Sequence, residues 1–359
     1  ECILFSRQLG RCPSGRSCDS RRSLVGEVLT ELARPRMSNG RKAAVLLVSM
    51  TVSVFVAEWS IRLTLPAYDP AGHVAWQHHP KAETVLGQPG TTARQIKNSG
   101  DYNVSVRFNR HGFRDRQDVS RGSDRDIYVV GDSFAFGWGV EERERFSNVL
   151  AELRGETVFN LAASLNVDGY EKLFPYAEAL GAKFGRVILT LNMIDDIQRY
   201  PAKGSEVPSL PAPAPAGKYF SLMTIKQFLL RESAFYFLMT QSLNQVQPLR
   251  KFLIYIGVIK TVSKVAFGLP DRTSIDITTN RLAGLDRQYD LTVLIIPSRG
   301  LWVGARQAET REAHDQMVQA LRSRGVKVVN PLPELEKGNN PLQYHFRNDG
   351  HWNSRGHRL

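Results

Sequence analysis

The chain has 359 residues, of which 42% are hydrophobic, and a formal net charge of +12. This length and apolar content allow one large or two ordinary globular domains and exclude a disordered chain. The three cysteines, Cys2, Cys12 and Cys18, precede the body of the chain, which therefore has no thiol for a disulfide, a metal cage or a nucleophile. The positive charge after residue 42 forms no dense basic run, which argues against a nucleic-acid partner and is compatible with an anionic membrane surface.

The N-terminal region divides into two segments of different character. Residues 1–36 are arginine-rich without apolar periodicity, which predicts a non-native or disordered extension. In residues 37–65, Arg41 and Lys42 precede an uncharged run from 43 to 57, and apolar residues continue to the length of about 20 that a membrane span needs. No Ala-x-Ala cleavage pattern follows, which favours a retained signal anchor over a cleaved signal peptide; a buried core helix is the other interpretation. The basic start places everything after residue 65 outside the cytoplasm.

The remaining chain alternates between strand and helix patterns. Residues 66–100, rich in Pro, Gly, His and Thr, are typical of a linker, and residues 101–115 indicate a short strand and a turn. Further strands are predicted at 126–130, 156–161, 186–191, 291–297 and 326–330, and helices at about 141–154, 168–183 and 311–325. This alternation predicts an α/β domain over 101–359, a three-layer α/β/α sandwich with a central parallel sheet.

Residues 201 to about 270 interrupt that alternation. The stretch "PAKGSEVPSLPAPAPAG" (201–217) predicts an extended connector, and the apolar and basic sequence after it predicts a helical insert. Its uncharged run, 252–259, is too short for a second membrane span. The insert either packs on the sheet or forms a lid near the site or a patch on the membrane.

The stretch "DIYVVGDSFAFGWGV" (126–140) runs through a buried strand pattern and stops at Gly131-Asp132-Ser133. In a doubly wound sheet, ligands bind at the carboxyl ends of strands, where the Ser133 hydroxyl faces the crevice and a following helical turn aims N–H groups at an oxyanion. A nucleophilic serine needs a base and an orienter. Near the C-terminus, Asp349 and His351 are two positions apart, so in an extended loop their side chains point the same way. Asp349 can then hold the imidazole of His351 while the other ring nitrogen reaches Ser133.

These blocks together resemble the SGNH/GDSL hydrolases. "VVGDSFAFGWGV" is similar to the family's first block, "NDGHWNSRGH" to its last, and "FNRHGFRD" to the Asn-x-x-Gly-Phe-Arg lead-in of bacterial, membrane-anchored members. The resemblance covers about residues 43–359. It implies an SGNH (flavodoxin-like) fold and a Ser-His-Asp esterase without metal or organic cofactor, with Ser133 as nucleophile, His351 as general base and Asp349 as its orienter. Gly131-x-Ser133-x-Ala135 also nearly matches the Gly-x-Ser-x-Gly elbow of the α/β-hydrolases, but in that fold the acid and the histidine usually lie on separate loops.

The oxyanion donors are less well defined by the resemblance. The family's glycine N–H donor falls at Leu165, and its asparagine donor falls either at Asn192 or on Asp195-Asp196. Donor chemistry favours Asn192, because an ionised carboxylate only accepts hydrogen bonds. The pair His78-His79 has no third ligand at a suitable spacing for a metal site, and "GWG" (137–139) lacks the residues of a phosphate loop.

The leading interpretation is a serine esterase anchored in a bacterial inner membrane, with its catalytic domain in the periplasm. Its substrate would be an O-acyl ester, plausibly an acetyl group on an envelope or extracellular polysaccharide. An O-acyltransferase with the same triad and a non-catalytic polysaccharide-binding or assembly protein remain the alternatives.

Overall fold

The computed structural model describes residues 38–97, 99–193, 196–197, 222–256 and 269–359. The chain divides into two compact units, residues 1–57 and residues 58–359. The predicted extension at 1–36 and the proline-rich connector at 201–217 lie outside the described residues.

One long helix, α1 (Asn39–Thr64), contains the predicted anchor. Its best 18-residue window has a mean hydropathy of 1.9, and none of its residues is buried. The helix therefore has the length and composition of a membrane span, which a signal sequence near an N-terminus shares.

Two small antiparallel sheets follow α1. Strand β1 (Trp76–His79) pairs with β2 (Thr84–Gly87), and β3 (Thr92–Ile96) pairs with β4 (Asn103–Arg107). Segment 66–100, for which the sequence indicates a linker, thus contains three strands. Their pattern is weak because polar side chains, such as Thr84 and Gln95, take buried positions.

The central sheet has five parallel strands in the order β6-β5-β7-β8-β9. The strands are β5 (Ile127–Val130), β6 (Val158–Asn160), β7 (Arg186–Asn192), β8 (Leu291–Ile296) and β9 (Lys327–Val329). Tyr128 and Val130 belong to one hydrophobic cluster, and Ile127 and Val129 belong to another, so β5 is buried on both of its faces. The predicted parallel sheet with flanking helices is confirmed.

The helices of the domain connect these strands. They are α2 (Ser133–Phe136), α3 (Phe146–Arg154), α4 (Val167–Leu180), α5 (Leu222–Glu232), α6 (Ala234–Gln245), α7 (Gln247–Tyr255), α8 (Arg272–Tyr289), α9 (Gln307–Ser323), α10 (Leu332–Glu336) and α11 (Ser354–Arg358). Within the predicted insert, the described residues form α5, α6 and α7. Helix α8 was not predicted, because threonine, arginine and aspartate dilute its apolar face.

The candidate site lies where the strand order of the sheet reverses, next to β5. The chain passes from β5 to β6 on one side and then to β7 on the other, which opens a crevice at the carboxyl ends of β5 and β7. Gly131 follows β5 there, and a Cβ atom at this position would lie 1.8 Å from Thr190 Oγ1 on β7. Only glycine lets the chain turn so close to the neighbouring strand.

Candidate active site

Ser133 is the first residue of the short helix α2, directly after the β5 strand end. The Asp132 carboxylate caps this helix by accepting the Phe134 N–H at 3.0 Å. The Asn192 side-chain amide, at the end of β7, donates to the other Asp132 oxygen at 2.8 Å. Asp132 is therefore bonded both to α2 and to the end of β7. Ser133, the next residue, is only half-buried.

Ser133, His351 and Asp349 form one hydrogen-bonded chain. His351 Nε2 lies 2.8 Å from Ser133 Oγ, and His351 Nδ1 lies 2.5 Å from Asp349 Oδ1. The same Asp349 oxygen accepts the backbone N–H of His351 at 3.0 Å. With the proton on Nδ1, Nε2 is the acceptor for the serine hydroxyl. This is the geometry of a nucleophile, a base and the group that orients the base.

The second oxygen of Asp349 has partners of its own. Lys97 Nζ lies 2.7 Å from Oδ2, and the Tyr102 hydroxyl donates to the same oxygen at 3.3 Å. Burial favours a raised pKa for Asp349, but the hydrogen bond and charge of His351, together with the Lys97 ammonium, outweigh it and hold that pKa far below its usual range. Asp349 is thus ionised at every pH at which the site would work.

Tyr102 links the Asp349 carboxylate to the ring of Trp138. Its hydroxyl accepts a hydrogen bond from Trp138 Nε1 at 2.7 Å, and the Trp138 ring stacks on the His351 imidazole with centroids 5.6 Å apart. Burial and the nearby Asp349 charge raise the pKa of Tyr102 well above its usual value, so the phenol keeps its proton and remains a donor.

We expect Lys97→Met to slow reactions in which Ser133 acts as a nucleophile about 5- to 10-fold, because a partly exposed ion pair contributes about 1 kcal/mol. Lys97→Arg keeps the charge and should restore most of the rate. Steady-state kinetics of the three proteins test this. A Lys97→Met protein as active as the parent would show that the ion pair does not position Asp349.

The loop that carries Asp349 and His351 is tied to the body of the domain. Arg299, which follows β8, donates to the backbone carbonyls of Phe346 at 3.0 Å and Asp349 at 2.8 Å. The Asn353 side-chain amide bridges the carbonyls of Gln343 and His345 at 2.8 and 3.0 Å. These bonds fix the loop on both sides of His351.

Two buried histidines flank the same loop and predict how stability depends on pH. Burial, with Arg299 nearby, lowers the pKa of His345 to about 4, and burial, with Arg145 nearby, lowers that of His357 to about 3. In the unfolded chain both histidines have the ordinary pKa of about 6.5. Their contribution to stability is complete above that pH and is lost as the pH falls towards 4. Between these values we expect the free energy of unfolding to fall by up to about 2.7 kcal/mol per pH unit.

Thermal melts across this pH range test the expectation. His357→Asn should make the dependence shallower, since asparagine does not titrate and its oxygen can accept the Phe146 N–H that bonds to His357 Nδ1. The exposed His78→Asn is the matched control and should leave it unchanged. Equal slopes in all three proteins would contradict the assignment.

The predicted oxyanion donors have different surroundings. Asn192 is buried beside Asp132, as described above. Asp196 is also buried, and it accepts the Asn192 backbone N–H at 2.6 Å and the Tyr170 hydroxyl at 2.8 Å, while Asp195 lies outside the described residues. The Leu165 N–H donates to the Ala163 carbonyl at 2.8 Å, within its own turn. In this structure, then, Leu165 directs its amide to a backbone acceptor.

The "FNRHGFRD" stretch builds the loops around Ser133. Asn109 Oδ1 accepts the N–H groups of His111 and Phe113, at 2.9 and 3.1 Å, and closes the turn. The buried Arg114 guanidinium donates to the carbonyls of Gly137 at 2.6 Å and Val140 at 2.7 Å. Arg114 therefore holds the segment that follows α2.

Three residues of the site have no signal in the sequence: Lys97, Tyr102 and Arg299. Lys97 and Tyr102 flank the turn between β3 and β4, Arg299 follows β8, and no motif spacing relates them to Asp349 or His351. Trp138 and Arg114 fall in stretches that the resemblance to known hydrolases singles out, although the resemblance assigns neither of them a role.

Comparisons with known proteins gave structural neighbours alone: no family model and no curated protein matches the chain. A lipolytic protein of the G-D-S-L family from Desulfitobacterium hafniense is 13% identical, with a TM-score of 0.33, and the match covers 66% of this chain and 94% of that one. A member of the same family from Veillonella parvula is 13% identical, with a TM-score of 0.32 and coverage of 65% and 92%.

A third neighbour is a carbohydrate esterase family 2 enzyme with a carbohydrate-binding domain from Corynascus thermopiles. It is 12% identical, with a TM-score of 0.33, and the match covers 66% of this chain and 63% of that one. The solved structures that this chain resembles thus include G-D-S-L lipolytic proteins and a carbohydrate esterase.

Proposed function

We propose that the protein is a serine esterase that hydrolyses an O-acyl ester by a Ser-His-Asp mechanism. The observation that carries this proposal is the continuous hydrogen-bonded chain from Ser133 Oγ through His351 to Asp349. A histidine that bonds to a serine hydroxyl with one nitrogen and to a buried carboxylate with the other is the arrangement that activates a serine.

The reaction follows from these contacts. Ser133 Oγ attacks the ester carbonyl carbon while its proton passes to His351 Nε2. The tetrahedral intermediate collapses, the carbon–oxygen bond to the leaving alcohol breaks, and His351 returns the proton to that alcohol. Water, deprotonated by His351, then attacks the acyl-serine and releases the carboxylic acid and Ser133. Asp349 holds the imidazole in the required tautomer and stabilises the imidazolium.

The oxyanion of each tetrahedral intermediate needs hydrogen-bond donors. We assign this role to the Ser133 N–H at the start of α2 and to the Asn192 side-chain amide, whose nitrogen carries two hydrogens and donates one of them to Asp132 at 2.8 Å. The Leu165 N–H would join them only after leaving the Ala163 carbonyl, because it is bonded there in this structure.

We infer that the acyl group is small, an acetyl group on an envelope or extracellular polysaccharide. Phe134 lies with its ring centroid 4.9 Å from that of His351, and Trp138 stacks on the same imidazole. The inference is that these two rings beside the base restrict the length of the acyl chain. Helix α1, acting as a membrane anchor with the basic residues at its start inside, would place the domain outside the cytoplasm.

Hydrolysis of p-nitrophenyl acetate by the full chain in detergent tests the proposal. We expect turnover above the spontaneous rate, rates that fall as the acyl chain lengthens to butyrate and beyond, and loss of turnover in His351→Ala. Acetate release from an O-acetylated polysaccharide tests the substrate class. Equal rates for the parent protein and His351→Ala would refute the mechanism.

A further inference from the structure

We propose that the helices of the insert, α5, α6 and α7, lie on the outer surface of the bilayer that holds α1 and bind its anionic lipids. The proposal rests on the anchoring role given to α1, but it does not depend on the esterase chemistry. The partner is a lipid surface, and the contact is made by apolar and basic side chains of residues 222–256.

The insert is joined to the last turns of α1 through Glu58. One oxygen of this carboxylate accepts the Ser233 hydroxyl at 2.8 Å and the Phe235 N–H at 2.9 Å, and the other accepts the Ala234 N–H at 2.9 Å. Glu58 therefore caps the beginning of α6, where backbone N–H groups lack acceptors within the helix. This contact links two segments that lie 175 residues apart in the chain.

Arg62 joins the same two segments one turn later. Its guanidinium donates to the Glu232 carbonyl at 2.6 Å, at the end of α5, and pairs with Asp69 at 2.7 Å. Glu58 is the first charged residue after the uncharged stretch 43–57. Charged residues that follow an apolar span mark the level of the lipid headgroups. The junction of α5 and α6 is therefore at the membrane interface if α1 spans the bilayer.

The insert also carries the side chains that such an interface requires. Large apolar residues of its helices are exposed, among them Phe228 (62%), Phe252 (55%) and Tyr255 (86%). Residues 222–256 contain four basic side chains and a single acidic one. Interfacial helices combine an apolar side with Lys and Arg that attract anionic headgroups.

The position of α6 has a consequence for the substrate. This helix of 12 residues spans about 18 Å, from its Glu58 cap to Gln245. The Gln245 side chain packs over Gly100, so that a methyl group there would lie 3.3 Å from Gln245 Nε2. Gly100 belongs to the turn between Lys97 and Tyr102, the two partners of Asp349. With α6 on the bilayer as proposed, the site would lie near the lipid surface, within reach of an acylated envelope polysaccharide held at the membrane.

Spin labels at single cysteines test the proposal in the full chain, reconstituted in vesicles of zwitterionic phospholipid with and without an anionic phospholipid. Cys2, Cys12 and Cys18 are first replaced by serine. Labels are placed at Phe252→Cys and Tyr255→Cys in the insert. Val48→Cys in α1 reports the span, and Leu153→Cys, an exposed apolar position on α3, is the matched control. Collision rates with oxygen, which concentrates in lipid, and with a water-soluble nickel chelate are measured at each position.

We expect the oxygen-to-nickel ratio at 252 and 255 to be several-fold higher than at 153 when anionic lipid is present, and to fall when it is omitted. A hydrocarbon signal at 48 with ratios at 252 and 255 equal to that at 153 would overturn the proposal and leave the anchor intact. Shielding of 252 and 255 from both reagents would mean that protein covers the insert, which also overturns it. A water-like signal at 48 would remove the anchor. None of these readings depends on ester turnover, whose failure is seen separately with p-nitrophenyl acetate.

Discussion

Ser133→Ala should lower kcat for p-nitrophenyl acetate hydrolysis by about 10⁴- to 10⁶-fold, because the hydroxyl that forms the acyl bond is gone and no other group can replace it. Alanine fits the first position of α2 without strain, so we expect the thermal midpoint to change little. KM should also change little, since the substitution leaves the walls of the crevice in place.

Ser164→Ala is the matched control for this variant. Ser164 is an exposed serine in the loop after β6, near Leu165, and it belongs to no part of the hydrogen-bonded chain. Its removal should leave kcat within about twofold of the parent value, as for an ordinary surface substitution. A fully active Ser133→Ala protein would rule out Ser133 as the nucleophile.

Asp349→Asn should lower kcat by about 10⁴-fold, the second largest effect. An amide at this position can donate to His351 Nδ1, which moves the imidazole proton to Nε2 and removes the acceptor for the Ser133 hydroxyl. The substitution also takes the counter-charge away from Lys97, which is 2.7 Å from the carboxylate in the parent protein. Both consequences act on the base and not on the nucleophile.

The control for Asp349→Asn is Asp290→Asn. Asp290 ends α8 with a φ of 47°, a left-handed conformation that asparagine accepts well, and its side chain is exposed beside Lys327. We expect near-parental kcat for this variant. If Asp349→Asn retained full activity with an unchanged thermal midpoint, the orienting role of Asp349 would be refuted.

The inner strands of the central sheet were predictable from the sequence because most of their residues are buried. Such strands are mainly apolar runs, as in Ile127–Val130 and, apart from Thr292, in Leu291–Ile296, and they need no partner to be recognised. The region of β1–β3 was not predictable in the same way. There, Thr84 and Gln95 are buried although they are polar, and Gln95 accepts the N–H of Gly139, 44 positions away. Their polarity conceals the strand pattern.

The residues of the candidate site likewise differ in whether a local sequence pattern indicates them. Ser133, Asp349 and His351 stand in short blocks that residue type and spacing single out, and the fold brings them together across 218 positions. Lys97 and Arg299 act on Asp349 and on its loop through long side chains from other elements. Such contacts depend on tertiary packing and leave no local pattern.

Asn192 stays the predicted oxyanion donor from its donor chemistry. Asp196 accepts the Asn192 backbone N–H and the Tyr170 hydroxyl, a role that suits a carboxylate. Residue type carries no information about the Leu165 donor, because every residue except proline has a backbone N–H. Its availability depends on the shape of the turn after β6, where its N–H bonds to the Ala163 carbonyl.

The most direct test of the account is the mass of the full chain after rapid acid quenching during turnover of p-nitrophenyl acetate, followed by peptide mapping. We predict one added acetyl group on the peptide that contains Ser133, retained longer in Asp349→Asn, whose deacylation is slow, and absent in Ser133→Ala. A folded protein that turns over the ester with no acetyl on Ser133, or that carries the acetyl on another residue, would contradict the Ser133-His351-Asp349 mechanism.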